Sequence, residues 1–331
     1  MPDARSGRAR YRRILRFAAR HLLVTWWYEL VLPRIGLRRS ADRTRDARLR
    51  RFARSFRVLA VELGGLMIKL GQFMSTRLDV LPPEVTKELE DLQDEVPPVP
   101  FAEIRALAEA ELGAPLSRVY DEDPVAAASL GQAYRARLLH EDAAHTGYAG
   151  AIIKVQRPGI AEIVAVDLAA LRRVGAWMSR FRVVSRRVDM RALIGEFAEA
   201  SMAEIDYLQE AANAERFAAC FQDDARVRVP GVVWERTTRR VLTLEDVTAI
   251  KITEVEAVRE ARIDPKQGAK VFAEVMLDQF FVHGFFHADP HPGNIFVPPG
   301  PEGPEGRTWT LTFIDFGMMG EIPDRLRASL R

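Results

Sequence analysis

The sequence predicts an α+β fold that begins with a helical extension. Between residues 51 and 73, apolar side chains recur at steps of three and four, which indicates one face of a long helix. Strand patterns bounded by turn residues follow at 125–139, 149–156, 227–233 and 240–245. Helical patterns lie at 162–181, 190–222 and 265–286. The first third is therefore predicted to be helical, with strands and helices mixed after it.

Size and composition set further bounds. The chain has 331 residues, of which 48% are hydrophobic, so it can bury a large core and form one or two domains. Its single cysteine, Cys220, cannot form an internal disulfide. A disulfide-stabilised secreted scaffold is thereby disfavoured.

Positive charge is concentrated at the N-terminus. Residues 1–60 hold 17 arginines and no lysine against four acids, a net charge of +13, whereas the whole chain has +2. An apolar run near Trp26, Trp27 and Tyr28 is too short and too charged to span a bilayer. Aromatic residues beside arginines are typical of a helix in the headgroup region. The alternative is a helix packed on the protein body with a solvated arginine face.

The partner predicted for this arm is an anionic membrane surface or lipid. A polyanion is the partner that such a basic segment favours. Nucleic acid is not expected as a partner, because no recognisable reading module accompanies the charge.

The segment from Asp289 to Gly317 carries the chemistry. Asn294 follows Asp289 after four residues, and strand-like segments then lead to Asp315-Phe316-Gly317. This order is typical of the phosphoryl-transfer groups of a kinase-type lobe. It predicts Asp289 as the catalytic residue that accepts the nucleophile's proton, and Asn294 and Asp315 as ligands of Mg²⁺, with ATP as the other cofactor.

Two histidines flank Asp289. His287 and His291 have the i,i+4 spacing of a zinc pair, but Pro290 and Pro292 prevent the helix that such a pair needs. We therefore predict structural histidines.

Lys154 interrupts the apolar strand 151–156. A buried ammonium needs anionic partners, which in a kinase are nucleotide phosphates and a helix glutamate. We predict Lys154 as a catalytic and nucleotide-binding residue. Glu204, Asp206 and Glu210 are the candidate carboxylates, with Asp206 and Glu210 on one helix face at i,i+4. The alternatives are a solvent-facing edge lysine and an ordinary acidic helix.

A phosphate-binding loop is predicted before Lys154. Ala126, Ala127, Ala128 and Ser129 occupy that place, where alanine resists the positive φ that glycine allows. The segment lacks the Gly-Lys-Ser/Thr of a P-loop, so that class is disfavoured. A plain alanine-rich turn is the alternative.

Four motifs together resemble the UbiB-type atypical kinase family, the ubiquinone-biosynthesis-linked kinase-like proteins. They are Lys69-Leu70-Gly71-Gln72, Ala126 to Ser129, Glu204-Ile205-Asp206, and His287 to Asn294 with Asp315-Phe316-Gly317. The resemblance covers about residues 50–331.

The resemblance implies roles for these residues. Lys154 is similar to the nucleotide lysine and Glu210 to its helix partner. Lys69 and Gln72 would form a regulatory lid that meets Glu204 and Asp206 over the site. A lid there disfavours a protein substrate and favours ATP hydrolysis stimulated by membrane or lipid.

The predicted architecture is thus a bilobal protein-kinase-like fold with an N-terminal helical extension. We expect its large lobe to be truncated, because fourteen residues follow Gly317. The resemblance also implies that family members often carry membrane-anchoring hydrophobic segments near the C-terminus, and we expect this sequence to end before them. The predicted domains are a basic amphipathic membrane-associating arm (1–50), the helical extension with the Lys-x-Gly-Gln motif (51–118), a kinase-like N-lobe (119–246) and a partial C-lobe (247–331).

The function predicted is that of an ATP-binding, Mg²⁺-dependent UbiB-like kinase or ATPase in ubiquinone or other isoprenoid-lipid metabolism. We expect it in the cytoplasm, peripheral at the inner membrane face, with proteins of isoprenoid-lipid biosynthesis as partners. Two alternatives stay open: a non-catalytic nucleotide-dependent sensor that binds lipid or protein, and a small-molecule phosphotransferase.

Overall fold

The structure is a computed structural model. It describes residues 4–77, 81–89, 92, 97–116, 118–119, 122–181, 185–186, 188–303 and 306–330. The chain divides into two compact units. Unit 1 comprises Met1–Pro100, Ala126–Gln132 and Gln156–Met202, and unit 2 comprises Phe101–Val125, Ala133–Val155 and Ala203–Arg331.

Helices account for most of unit 1 and also occur in unit 2. The α-helices of the chain are α1 (Ala4–Trp26), α2 (Arg38–Arg43), α3 (Arg45–Leu63), α4 (Leu66–Thr76), α5 (Pro83–Leu89), α6 (Phe101–Leu112), α7 (His140–Thr146), α8 (Ile160–Met178), α9 (Met190–Glu204), α10 (Tyr207–Cys220), α11 (Val255–Glu260), α12 (Pro265–Asp278) and α13 (Asp324–Leu330). Turns of π-helix occur at Trp27–Val31 and Gln279–His283, and 3₁₀ turns at Leu32–Ile35, Trp234–Arg236 and Pro292–Asn294.

The strands are short. They are β1 (Arg118–Val119), β2 (Ala126–Ala127), β3 (Gly131–Arg137), β4 (Gly150–Gln156), β5 (Val227–Arg228), β6 (Val241–Glu245), β7 (Phe285–His287), β8 (Ile295–Phe296), β9 (Pro299–Gly303), β10 (Gly306–Trp309), β11 (Leu311–Phe313) and β12 (Met319–Glu321).

Unit 1 is built around α1, α3 and α8. Ile14 of α1, Phe56 of α3 and Ala170 of α8 belong to one buried cluster. The Arg10 guanidinium donates three hydrogen bonds of 2.6 Å across this packing, two to the buried Asp167 carboxylate and one to the Leu63 carbonyl. The first half of α1 is therefore packed on the body of unit 1, as the alternative interpretation of the arm predicts.

Unit 2 holds a sheet in the strand order β1-β3-β4-β6, in which the pairs β1–β3 and β4–β6 are antiparallel. Lys154 of β4 lies opposite Leu242 of β6 in the register. Val155 and Leu242 are fully buried. An interior strand therefore carries Lys154, and the edge-strand alternative does not apply.

Among the described residues, unit 2 holds three further small sheets. In a three-stranded sheet, β11 lies between β5 (parallel) and β8 (antiparallel). The pair β7–β12 brings His287 opposite Met319. The hairpin β9–β10 occupies the Gly- and Pro-rich segment before β11.

One of the predicted helices is divided into two in the structure. The expected helix 190–222 is interrupted, because α9 ends at Glu204 and α10 begins at Tyr207. Asp206 lies at the start of α10 with extended backbone angles, φ −108° and ψ 91°. The prediction of one continuous helix through Glu204 and Asp206 is therefore wrong.

The predicted helix 265–286 also ends early. Its α-helical part stops at Asp278, and one π turn follows. Gly284 has φ +66° and terminates the turn. Phe285 then pairs with Glu321 in the β7–β12 ladder. Strand pairing, a non-local interaction, thus overrides the local helical pattern.

Among the residues that the structure describes, no helix is both long and apolar enough to cross a membrane.

Candidate active site

Asn294 and Asp315 come together at the ends of two paired strands. Asn294 closes a 3₁₀ turn before β8, and Asp315 follows β11. Because Phe313 pairs with Ile295, the two side chains meet, and Asn294 Nδ2 donates to Asp315 Oδ2 at 3.0 Å. Sequence spacing predicted the pair, and strand pairing produces it.

This donor set suits a hard divalent cation. Carboxylate and amide oxygens are preferred ligands of Mg²⁺, which keeps several waters and binds substrate phosphates as well. The Gly317 amide donates to Asp315 Oδ1 at 3.2 Å and so fixes the carboxylate. Asn294 and Asp315 are therefore the residues that would hold such an ion.

Lys154 forms an ion pair with Glu210. Nζ lies 2.6 Å from Oε1, and the side chains are 21% and 6% exposed. Burial alone would lower the pKa of Lys154, but the carboxylates of Glu210 and Asp315 raise it above the ordinary lysine value. The ammonium form is thus retained. Of the three candidate carboxylates, the structure pairs Glu210 with Lys154.

The Asp-Phe-Gly turn is tied to the same pair. The Phe316 amide donates to the Glu210 carboxylate, and Asn213 Nδ2 donates to the Phe316 carbonyl at 2.9 Å. The Phe316 ring is fully buried, 5.4 Å from the ring of Phe217 between centroids. Lys154, Glu210 and Asp315 are therefore held by one hydrogen-bonded and packed assembly.

His287 joins the two aspartate segments. Its Nε2 hydrogen-bonds the Asp315 carbonyl, and its Nδ1 accepts from the Asp289 amide at 3.2 Å. A carbonyl only accepts, so the proton lies on Nε2 of a neutral ring. Burial lowers the pKa of His287, although Asp315 raises it in opposition. Gln279, which is fully buried, accepts from the His287 amide at 2.8 Å.

Sequence reasoning predicted a structural histidine here but missed this positioning role. The signal that was available is a histidine two residues before the predicted base, at the end of a strand. Gln279 has no local signal, because its contact joins a helix end to a strand eight residues later.

The Asp289 side chain is exposed. Its carbonyl accepts from the His291 amide at 2.7 Å, and its own amide is held by His287. The backbone is thus fixed while the carboxylate faces solvent. Such a carboxylate can accept a proton from a substrate hydroxyl or water that binds beside it.

The alanine-rich loop belongs to unit 1 and has defined contacts there. Arg157 Nε donates to the Ala128 carbonyl at 2.9 Å, and Nη1 donates to Pro97 at 3.1 Å. The Val99 amide donates to Gln132 Oε1 at 2.6 Å. Ser129 is buried. The segment is therefore a braced turn, and its contact with phosphate stays a prediction.

The lid motif also lies in unit 1, on α4. Gln72 Nε2 donates to the Leu92 carbonyl at 3.2 Å. A Cβ at Gly71 would lie 2.2 Å from Leu92 Cδ1, so α4 packs closely at this position. Lys69 lies one turn earlier on the helix. The predicted meeting of Lys69 and Gln72 with Glu204 and Asp206 stays a prediction.

Glu204 and Asp206 occupy the α9–α10 junction of unit 2. Asp206 Oδ2 lies 3.3 Å from Arg239 Nε. The Asp206 carbonyl accepts the amide of Glu210 at 3.1 Å, which starts α10 and places Glu210 in its first turn. The junction thus orients the glutamate that binds Lys154.

Comparison with known proteins identifies this arrangement of motifs. A family model described as the ABC1 atypical kinase-like domain matches residues 91–331. An Arabidopsis thaliana protein, "Protein ACTIVITY OF BC1 COMPLEX KINASE 8, chloroplastic", is 42% identical over 82% of this chain and 34% of its own length. The "Probable protein kinase UbiB" of Pseudomonas putida is 35% identical over 91% of this chain and 54% of its own length.

Among solved structures, the Mycobacterium tuberculosis protein Rv3197, determined in complex with erythromycin, matches with a TM-score of 0.55 and 26% identity. The match covers 82% of this chain and 65% of that protein. The predicted mixed α and β kinase-like fold is thus confirmed. The chain spans between a third and just over half of these two curated relatives.

Proposed function

The chain belongs to the ABC1 atypical kinase-like family, and from this premise we propose that it binds ATP with Mg²⁺ and transfers the terminal phosphoryl group, with water or a lipid headgroup hydroxyl as acceptor. The observation that carries the proposal is the assembly of Lys154, Glu210 and Asp315 around the Phe316 backbone. In phosphoryl transfer, positioning and charge neutralisation provide nearly all of the catalysis.

Each residue has a defined task. Lys154, oriented by Glu210, neutralises phosphate oxygens. Asn294 and Asp315 would hold Mg²⁺, which neutralises charge on the phosphates when bound. Asp289 accepts the proton of the attacking hydroxyl, and His287 holds the Asp289 and Asp315 backbones in register.

We extend the proposal to the cellular context. The motifs shared with the UbiB-type family support a role in ubiquinone or other isoprenoid-lipid metabolism. The basic arm supports a position in the cytoplasm at the inner face of a membrane, with anionic lipid and isoprenoid-lipid biosynthesis proteins as partners. The lid residues Lys69 and Gln72 support an acceptor smaller than a protein.

The test is Mg²⁺-nucleotide binding by calorimetry and ATP turnover, with and without vesicles, in the full chain. Asp315→Asn is expected to lower turnover by at least about a hundredfold, because one metal ligand loses its charge. Asp278→Asn, an aspartate bound to Arg226 at 2.7 Å, is the matched control and should retain turnover. Equal turnover in wild type and Asp315→Asn would exclude the proposed site.

Glu210→Gln tests the lysine pair separately. We expect weaker nucleotide binding, because the ammonium loses the carboxylate that orients it. Nucleotide binding by wild type without turnover under every lipid condition would instead support the sensor. Transfer to a soluble small-molecule hydroxyl would support the phosphotransferase.

A further inference from the structure

A groove on unit 1 has no part in the chemistry described above. It lies between the C-terminal half of α1 and the end of α8, and we call it the α1–α8 groove. Its volume is about 520 Å³. Its main lining residues are Leu22, Leu23, Trp26, Trp177, Arg180 and Phe181. Five of these six are apolar or aromatic, so the groove is a hydrophobic surface with a cation in its wall.

Large apolar residues are exposed in the second half of α1 and in the turns after it. Leu23 is 64% exposed, Trp26 43% and Trp27 47%. Ile35 and Leu37, in the turns that follow α1, are 60% and 50% exposed. Large apolar residues exposed together in this way mark an interaction surface.

Arginines border the apolar patch. Arg16 and Arg20 are exposed on α1, and the series Arg16, Arg20, Leu23 and Trp27 has the i,i+4 and i,i+3 spacing of one helix face. Arg180 is exposed at the end of α8. The same face therefore changes from cationic to apolar within three turns.

The walls of the groove are held in place. The buried ion pair of Arg10 with Asp167, at 2.6 Å, fixes the first half of α1 on α8. Ile14 is 3% exposed in the shared core. The apolar side chains that follow on α1 are thus presented by a docked helix, and α8 contributes Trp177 and Phe181 to the same surface.

We propose that the α1–α8 groove and its bordering arginines bind the surface of an anionic phospholipid bilayer. The arginines contact lipid phosphates, while the tryptophans and leucines enter the boundary between headgroups and acyl chains. The charge of this segment favours an anionic bilayer, because residues 1–60 carry a net +13 and Leu23 and Trp26 are exposed on the same helix as Arg16 and Arg20. This proposal rests on the membrane association proposed above. It specifies which residues contact the membrane and which class of lipid they bind.

The experiment is flotation of the full chain with vesicles of phosphatidylcholine, alone or mixed with phosphatidylglycerol. Wild type is expected to bind the phosphatidylglycerol vesicles at least tenfold more strongly. The double substitution Leu23→Glu/Trp26→Glu should reduce that binding at least tenfold. Leu277→Glu, at a leucine of unit 2 that is 54% exposed, is the matched control and should bind as wild type does.

A second variant tests whether loss of binding could result from misfolding. Arg20→Gln/Arg180→Gln changes only exposed side chains, and it should lose binding to phosphatidylglycerol vesicles while its circular dichroism spectrum is unchanged. Trp26→Phe and Trp177→Phe should each reduce the blue shift of tryptophan emission on vesicle addition.

The outcomes separate the two proposals. No flotation of wild type would overturn membrane association itself. Flotation of wild type and both groove variants to the same extent would overturn the groove assignment and leave membrane association standing. A wild-type dimer that Leu23→Glu/Trp26→Glu converts to a monomer, seen by analytical ultracentrifugation, would assign the groove to a second copy of the chain. Mg²⁺-nucleotide binding should be the same in all variants.

Discussion

At the scale of single residues, the site depends on side chains that hold the predicted catalytic and binding residues in position. Glu210 orients Lys154, and His287 holds the backbones of Asp289 and Asp315. The catalytic-type residues could be predicted from the sequence, since the chemistry fixes their identity and order. Their supporting contacts join distant parts of the chain, as between Asn213 and Phe316. Such contacts depend on packing and leave no local pattern.

His287 makes stability depend on pH. Burial lowers its folded-state pKa below the ordinary 6.5, so between these two values the unfolded chain binds a proton that the folded chain does not. The free energy of unfolding therefore rises with pH through that window and levels off above it. Urea unfolding in EDTA should show a smaller rise for His287→Asn than for wild type.

The quantity to compare is the difference in slope between His287→Asn and wild type. Burial also lowers the pKa of His21 and His283, so these two histidines add to the slope of both proteins. His140→Asn, at an exposed position that begins α7, is the matched control and should keep the wild-type slope. The same slope in His287→Asn and wild type would contradict the prediction.

At the scale of elements, local pattern and tertiary contact disagree at two places. Helical periodicity predicted unbroken helices at 190–222 and 265–286, but the structure interrupts the first at Asp206 and ends the second with a π turn. At both places the chain turns so that a side chain enters the site, Glu210 in one and His287 in the other. Helical periodicity predicts which face of a helix is buried. It carries no information on strand pairing with residues later in the chain.

Gly284 is the residue that ends the second helix. With φ at +66°, a Cβ there would be strained and would lie 3.1 Å from Arg327 Nη1. Gly284→Ala should therefore lower the free energy of unfolding by about 1–2 kcal/mol.

Gly268→Ala is the matched test, because Gly268 lies within α12 and its Cβ would meet no described atom within 4 Å. It should stabilise the protein by about 0.5–1 kcal/mol. Equal effects of the two substitutions in urea unfolding would show that the conformation of Gly284 is unimportant.

The alanine-rich loop is braced by Arg157. Removal of its contacts with the Ala128 and Pro97 carbonyls, at 2.9 and 3.1 Å, should cost about 1–2 kcal/mol of local stability. Hydrogen exchange of the amides at 126–132 should then be about tenfold faster in Arg157→Met.

Arg54→Met is the control, since Arg54 is 65% exposed and bonds only Glu88 among the contacts described for it. Unchanged exchange in Arg157→Met would contradict the stabilising role of the Arg157 side chain.

At the scale of the whole molecule, α1 carries basic residues and also contributes to a buried hydrophobic cluster. Composition predicted a basic, amphipathic arm, and the structure anchors its first half through Arg10 and Asp167, which are 12% and 0% exposed. The two interpretations of the arm are therefore not exclusive. One half of the helix is packed on unit 1, and the other half exposes apolar residues.

Arg10→Met should lower the free energy of unfolding by about 3–5 kcal/mol, because it leaves the Asp167 carboxylate buried and unpaired. Arg13→Met removes an ion pair with Glu62 whose side chains are 51% and 47% exposed, and should cost less than about 1 kcal/mol. Comparable losses in the two variants would contradict the anchoring role of Arg10.

The kinase-like class and the basic character of the arm follow from the amino-acid sequence alone, which also predicts the residues of the site. Each of these is a matter of residue identity and spacing, which chemistry constrains directly. The family resemblance implied Glu210 as the partner of Lys154, and the structure pairs the two side chains. The fold was needed to show that His287 joins the two aspartate segments and that α8 completes the apolar surface of α1. These depend on which elements pack together, and packing is set by burial and hydrogen bonding across the whole chain.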